Sequence, residues 1–186
     1  MPALTLIDKI NKPNENMGGA TSRILIGLLA DALTIPVNHA KDVASSITEW
    51  VTLETPPVMK TGKKMVIIQA SQDTVEIKHD PQGETDCASF KNLLEFFVPG
   101  YEKESLALAA ALLNNDVFII VEQGGQFHML GNKEQPCNSD GTGGATGKKA
   151  ADSKGTTFKF KWNWSTPVPI VTMDETDVLA LLAPAV

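Results

Sequence analysis

The chain has 186 residues, a formal net charge of −6 and a pI near 5.0, so no excess of basic residues indicates nucleic-acid binding by phosphate neutralisation. Apolar residues make up 42% of the sequence and charged residues 20%, which is typical of a globular domain and excludes a wholly disordered chain. No run of about 18 apolar residues occurs, so we expect no membrane-spanning helix and, from the acidic, interrupted N-terminus, no signal peptide. The length fits a single domain, residues 1–186.

The first predicted elements are short. Residues 22–29 form an apolar run that could be a strand or part of a helix, and the glycines in front of it favour a strand. Residues 41–53 are ambiguous, because the alternation typical of a strand covers only 47–53. Pro56-Pro57 ends this segment.

A hairpin is predicted in the middle of the chain. Strand patterns at 65–68 and 74–79 flank the polar turn 71–73, and a second turn follows at 80–83. Residues 89–98 then form a long strand that Pro99-Gly100 ends. One face of that strand carries Phe90, Leu94, Phe96 and Val98, interrupted by Asn92.

One helix and a second hairpin come next. Residues 102–113 are strong helix formers with acidic residues in the first turn. Their expected buried stripe, at helical spacing, is Leu106, Ala109, Ala110 and Leu113. Strands at 117–121 and 127–130 flank the two-residue turn Gly124-Gly125.

Residues 157–164 show the strongest alternation in the chain. Phe158, Phe160, Trp162 and Trp164 share one face, which we interpret as the core face of a central strand. An alternative is that Trp162 or Trp164 stacks on a sugar or a base. The opposite face carries Lys159 and Lys161, which are either solvated or paired with acidic residues of a neighbouring subunit. After residue 171, Thr172 and Glu175 form a predicted capping box before the apolar segment 178–182.

Residues 132–154 form an unusually long polar, glycine-rich connection. Connections are commonly about 4 to 6 residues, and structureless ones beyond roughly 12 to 15 are uncommon unless functional or disordered. With little apolar surface of its own, this segment is expected to be held by something outside its own fold.

Part of this segment invites comparison with the phosphate-binding loop G-x-x-x-x-G-K-[ST]. Thr142 occupies the position of the first glycine, and Lys149 that of the magnesium-binding hydroxyl. No strand leads into the segment and no periodic helix follows it, so we predict no nucleotide or cofactor site.

Other chemistry has little support in the sequence. Cys87 and Cys137 have no metal-ligand spacing and are predicted to be free thiols, with a disulfide as the alternative. There is no G-x-S-x-G motif. We therefore predict neither an enzyme nor a metal site. The scattered titratable residues weighed for such roles are His39, His79, His128, Asp86, Glu95 and Glu122.

Many strands with one central helix predict a mainly β, β-rich α+β domain. Two packed antiparallel sheets, as a sandwich or squat barrel with one flanking helix, satisfy this order of elements. A doubly wound α/β fold would need helices between most strands.

The order of short phrases over about residues 17–164 resembles a family of virion structural proteins from tailed phages of Bacteroidetes hosts, of the crAss-like type. The phrases are Met17-Gly18-Gly19, Gly62-Lys63, Val66-Ile67-Ile68, Gly83, Ser89-Phe90-Lys91-Asn92, Val98-Pro99-Gly100, Leu112 to Val117, Gly124-Gly125-Gln126, Leu130-Gly131, Thr146-Gly147-Lys148, Asp152, Gly155 and Thr157. The extension after about Val171 departs from the pattern.

The resemblance implies a tail-tube-like or neck-ring-like fold in a virion tail or neck, made in the host cytoplasm. The expected partners are further copies in a cyclic ring, other tail or neck proteins, and DNA that passes through an acidic lumen, with no membrane. The parts expected to interlock are an N-terminal arm 1–16, the loop 132–154 and a C-terminal extension 172–186. The predicted inter-subunit residues are Asn132, Asp140, Gly141, Gly143, Gly144, Gly147, Lys148, Lys149 and Asp152.

The alternative hypothesis is a monomeric ligand-binding or adhesin-type β-domain. In that case the same loop would cover a pocket beside Trp162 and Trp164, and a bound sugar or nucleotide would quench tryptophan fluorescence.

Overall fold

Two antiparallel sheets pack face to face, as the strand patterns predicted. The computed structural model describes residues 20–39, 44, 46–149 and 153–182, so the predicted arm 1–16, Asp152 and residues 183–186 lie outside the described residues. The described residues contain two α-helices, α1 (Lys103–Leu112) and α2 (Glu175–Leu182), where one helix was predicted to flank the sheets. The strands are β1 (Arg23–Leu28), β2 (Ala32–Thr34), β3 (Thr52–Leu53), β4 (Val58–Met59), β5 (Val66–Gln69), β6 (Glu76–Gln82), β7 (Ser89–Pro99), β8 (Val117–Gln123), β9 (Gln126–Leu130), β10 (Asn138–Ser139), β11 (Gly143–Ala145), β12 (Gly155–Trp164) and β13 (Ile170–Val171).

A six-stranded sheet and a five-stranded sheet form the two main layers. The six-stranded sheet has the order β3-β13-β9-β8-β1-β5, and the five-stranded sheet has the order β10-β12-β7-β6 with β11 also paired to β12. All of their pairings are antiparallel except that of β13 with β3. Within the described residues the sheets do not close into a barrel, so the fold is a β-rich α+β sandwich.

The six-stranded sheet is buried on both faces. In β8, Ile119 packs into the core between the sheets, whereas Phe118 and Ile120 pack into a second core with Val178 and Leu181 of α2. A strand covered on both faces reads as a continuous apolar run rather than an alternation. The sequence of β8 has that form, and all of its residues from Val117 to Val121 are buried.

The five-stranded sheet is buried on one face only. Phe96 of β7 stands opposite Phe158 of β12, and their rings stack with centroids 5.2 Å apart. On the outer face Lys159 pairs with Glu95 at 3.0 Å. The predicted core face is thus confirmed, and Lys159 finds an acidic partner within its own chain.

The predicted hairpin of residues 65–68 and 74–79 is wrong. β5 pairs with β1, whereas β6 pairs with β7 in the other sheet. After β5, the Ser71 N–H donates to the Phe97 carbonyl at 2.8 Å, which carries the chain across to the second sheet. A polar turn between two strand patterns has the same composition whether the strands pair or separate, so the sequence does not distinguish the two outcomes.

The predicted strand at 47–53 is helical in its first part. Residues Thr48–Val51 form a 3-10 turn, and only Thr52–Leu53 belong to a strand. The Thr52 hydroxyl donates to the Thr48 carbonyl at 2.8 Å. Such a local side-chain bond competes with strand pairing and stabilises the turn.

α1 forms where predicted, but of its predicted buried stripe Ala109 alone packs against the core. Leu112 is buried and Leu108 packs against the core between the sheets, whereas Leu106 is 43% exposed and Leu113 61%. Because this helix carries leucine and alanine on all sides, its periodicity does not select one face.

α2 begins at a capping box two residues later than predicted. Asp174 Oδ1 accepts the N–H groups of Thr176 and Asp177, and an Asp177 carboxylate oxygen accepts the N–H of Asp174. Arg23 of β1 binds Glu175 at 2.7 Å, which raises the pKa of Arg23 and lowers the pKa of Glu175. This ion pair ties the start of α2 to the sheet that it covers.

Candidate assembly surface

β5 ends the six-stranded sheet with an open edge. The Ala70 N–H donates to the Ser22 carbonyl at 2.8 Å, which in this register places the main-chain groups of Val66 and Ile68 toward β1. Ile67 and Gln69 therefore direct their N–H and C=O groups away from β1. Among the described residues neither has a backbone partner on that side.

The side chains beside this edge are apolar and exposed. Val66 is 50% exposed and Ile67 49%. The Met65 N–H donates to the Leu181 carbonyl of α2 at 2.9 Å, so α2 lies beside the start of β5, and its Leu179 is 60% exposed. An open edge with exposed apolar side chains is a template for pairing with another strand.

The neighbouring edge, β6 of the five-stranded sheet, is protected. It carries Glu76, Lys78 and Asp80 together with Pro81, which has no N–H to donate. Charged residues and proline are the usual means by which an edge strand avoids pairing. β5 has neither, so the two adjacent edges differ in their capacity to bind another strand.

The long segment 132–154 begins with two firm anchors. Asn132 is buried, and its Oδ1 accepts the N–H groups of Glu134 and Gln135 at 3.0 and 2.7 Å. Cys137 is fully buried and exchanges two backbone hydrogen bonds with Val117 of β8. The Asn132 side chain therefore stabilises the turn that it begins, and Asn132 is not part of the proposed assembly surface.

The middle of the segment is an edge strand with a bulge. β10 and β11 both pair antiparallel with β12, and the Asp140 N–H donates to the Lys159 carbonyl at 2.7 Å. Between the two pairings, residues 140–142 face only Phe158 and Lys159, so one extra residue is inserted. The expectation that something outside the fold holds this segment is thus wrong for β10 and β11, because backbone pairing with β12 orders them.

Two adjacent glycines of β11 have different surroundings. A Cβ at Gly144 would lie 2.6 Å from the Tyr101 ring, whereas a Cβ at Gly143 would meet nothing within 4 Å. Gly141 and Gly147 have φ values of +97° and +73°, a region that favours glycine. Of the two glycines of β11, Gly144 is therefore required by close packing, while Gly143 lies open at the surface.

The charged residues predicted for an interface lie near this edge. Asp140 is exposed, and its Oδ1 lies 3.8 Å from Lys161 Nζ. Lys148 and Lys149 are also exposed, in a bend that follows β11. The structure thus groups the predicted residues from Asp140 to Lys149 along one rim of the five-stranded sheet.

The open β5 edge and the β10–β11 edge lie on opposite sides of the sandwich. The Ser71–Phe97 bond places the β5 side over β7, and the Cys137–Val117 bonds place the β10 side over β8. One chain therefore presents two different edges that face away from each other.

The titratable groups show two clear effects of burial. Burial raises the pKa of the Cys137 thiol, so that thiol stays protonated, while Cys87 is exposed. Burial lowers the pKa of His128, against a weaker opposing effect of its hydrogen bond to the Val168 backbone. In the part of the chain that the structure describes, no group of three His, Cys, Asp or Glu side chains is arranged to hold a metal ion.

The predicted ligand space beside the two tryptophans is small. Trp162 is buried, stacks on Trp164 at 5.6 Å, and donates its indole N–H to the Gln135 carbonyl at 2.9 Å. The cavity that Trp162 and Asn132 share has a volume of about 10 Å³, enough for one water molecule.

No described helix has the length and apolar character needed to cross a membrane. Comparison of the chain with protein-family models, with curated proteins and with solved structures found no significant match.

Proposed function

We propose that this protein is a non-enzymatic structural subunit of a phage virion. Copies join head to tail into a ring in the tail or neck, near the portal, and DNA passes through the channel of that ring. The phrase resemblance over about residues 17–164 supports the virion part of the proposal. The two dissimilar edges of the sandwich support the assembly part.

The observation that carries the proposal is the open, apolar β5 edge on the side opposite the β10–β11 edge. A closed ring of identical subunits needs two different surfaces on each chain, because every contact is head to tail. In the proposed ring, Ile67 and Gln69 pair with the β10–β11 edge of the next copy. The main-chain groups of Ser139 are directed away from β12, since Asp140 bonds to it.

The outer face of the five-stranded sheet suits a channel that does not retain DNA. Lys78 pairs with Glu76 at 2.8 Å, and Lys159 pairs with Glu95 at 3.0 Å. Lysines that already face carboxylates bind phosphate less well, and the net charge of −6 opposes binding further.

The test is the mass of the purified protein in solution, followed by negative-stain images of the species found. We expect rings or stacked rings for the wild type, and monomers for Ile67→Lys, because a lysine on an edge strand opposes pairing. The matched control is Val58→Lys in β4, where the side chain is 46% exposed and we expect assembly to persist.

A monomer of 20.0 kDa at every concentration tested, alone and with candidate tail partners, would contradict the proposal. That outcome would favour the alternative, a monomeric ligand-binding or adhesin-type β-domain.

A further inference from the structure

A pocket of about 310 Å³ opens at one end of the sandwich, where β7 begins and β12 ends. The 3-10 turn Thr48–Val51 forms one wall, and Phe90 of β7 forms another. This volume lies at the lower end of the range for sites that bind small molecules. It is far larger than the cavity beside Trp162.

Among the described residues, the walls of the pocket are mainly apolar and contain no charged side chain. The indole of Trp50, the Phe90 ring, the Pro167 ring and the side chains of Ile47 and Val51 supply apolar surface. The rest of the lining consists of three residues with hydroxyl groups, and none of the described lining residues carries a charge. Such walls match an uncharged, predominantly apolar ligand, because a charged group would lose its hydration without gaining a partner.

Two asparagine side chains fix the position of Thr166 in the pocket wall. The Asn92 side-chain N–H₂ donates to the Thr166 carbonyl at 3.2 Å, and that of Asn38 donates to the Thr166 hydroxyl at 3.3 Å. Asn92 is fully buried, and its Oδ1 has no hydrogen-bond partner among the described residues. Asn92 does not line the pocket, so its bond fixes the position of Thr166 and makes no contact with a ligand.

We propose that this pocket binds an uncharged, predominantly apolar small molecule. The aromatic and proline rings supply contact area, and the hydroxyl groups of the lining residues supply the polar contacts. The proposal does not depend on ring formation, since the pocket is formed within a single chain.

The test uses N-phenyl-1-naphthylamine, an uncharged aromatic amine whose fluorescence rises in apolar surroundings. The probe is titrated into the full-length Ile67→Pro chain, so that apolar surface between subunits does not contribute. We expect saturable binding of one probe per chain.

Ser165→Trp places a large side chain at the pocket and should weaken probe binding by about tenfold or more. Asn163→Trp is the matched control, because Asn163 is equally exposed near the end of β12 but does not line the pocket. A second variant, Val51→Lys, introduces a charge into the wall and should weaken binding to a similar extent.

Absence of saturable binding to the starting chain would overturn the proposal. Equal affinity in the Ser165→Trp and Asn163→Trp chains would also overturn it, provided that both chains melt cooperatively. If Ser165→Trp does not fold, unchanged affinity in Val51→Lys would have the same meaning.

Discussion

The β5 edge and the β10–β11 edge both have unpaired backbone groups, but they differ in shape and in the side chains beside those groups. β5 is short, contains no charged residue or proline within its bounds, and exposes Val66 and Ile67. The β10–β11 edge is bulged and rich in glycine, and it exposes almost no apolar side chains. An exposed apolar edge strand is prone to pairing in solution unless another strand covers it. We therefore propose that β5 supplies apolar contact area, whereas the glycine-rich β10–β11 edge allows close approach of another backbone.

The largest expected effect comes from Ile67→Pro. Proline removes an N–H that points away from β1, so it should abolish assembly while lowering the free energy of unfolding by about 1 kcal/mol or less. Light scattering measures the first effect and thermal melting the second.

Ile68→Pro is the control for that variant, because the Ile68 N–H points toward β1. Ile68→Pro should lower the free energy of unfolding several-fold more than Ile67→Pro does. Normal rings from the Ile67→Pro chain would show that β5 is not the contact.

Deletion of residues 140–149 tests the opposite edge. We expect assembly to be lost and the chain to remain folded but less stable, because β11 no longer pairs with residues Gly155 to Thr157 of β12. Solution mass and circular dichroism measure the two effects. Normal assembly of the shortened chain would remove this segment from the interface.

Substitution of the two adjacent glycines by alanine should change the free energy of unfolding by unequal amounts. Gly144→Ala forces the Tyr101 ring to move and should cost about 1–3 kcal/mol of stability, as overpacking does. Gly143→Ala should be neutral or stabilising by about 0.4–1 kcal/mol, because it restricts only the unfolded chain. Denaturant titration of both variants measures this difference, and equal values would show that Tyr101 does not constrain the edge.

The rates at which the two thiols react measure how often the segment around Cys137 separates from β8. Cys87 should react rapidly with a maleimide in the native protein, whereas Cys137 should react only after opening, because it is fully buried and burial raises its pKa. Mass spectrometry of a time course counts the modified thiols. Reaction of both cysteines at the same rate would contradict the anchoring role of Cys137.

Acidification should have the smallest effect. Because burial lowers the pKa of His128, the unfolded chain binds a proton more readily, and stability is lost as pH falls below about 6.5. His128→Gln should reduce the difference in melting temperature between pH 7.5 and pH 5.5. An identical difference in both proteins would show that His128 does not contribute.

The sequence predicts those elements whose apolar residues recur at regular spacing or whose turn has a characteristic composition. β7 and β12 alternate, and the β8–β9 hairpin has a two-glycine turn with φ values of +59° and +78°. All of these were predicted with nearly the observed bounds.

Other features have no such signature. The β10–β11 pairing depends on the backbone and on Gly144 beneath Tyr101, so its polar sequence resembles a loop. β5 is an edge strand because β6 joins the other sheet. The composition of the turn at 71–73 does not predict that separation. The pocket brings Trp50 to Phe90 across the chain, and only the fold makes them neighbours.

The most direct test of head-to-tail pairing is a disulfide between the two edges. In a Cys87→Ser background, Gln69→Cys chains are mixed with Gly143→Cys chains under mild oxidation, and each variant is also oxidised alone. We predict a covalent dimer that contains one chain of each kind in the mixture and little dimer in either variant alone. Efficient dimer formation by Gln69→Cys alone, or none in the mixture, would contradict pairing of β5 with the β10–β11 edge of the next subunit.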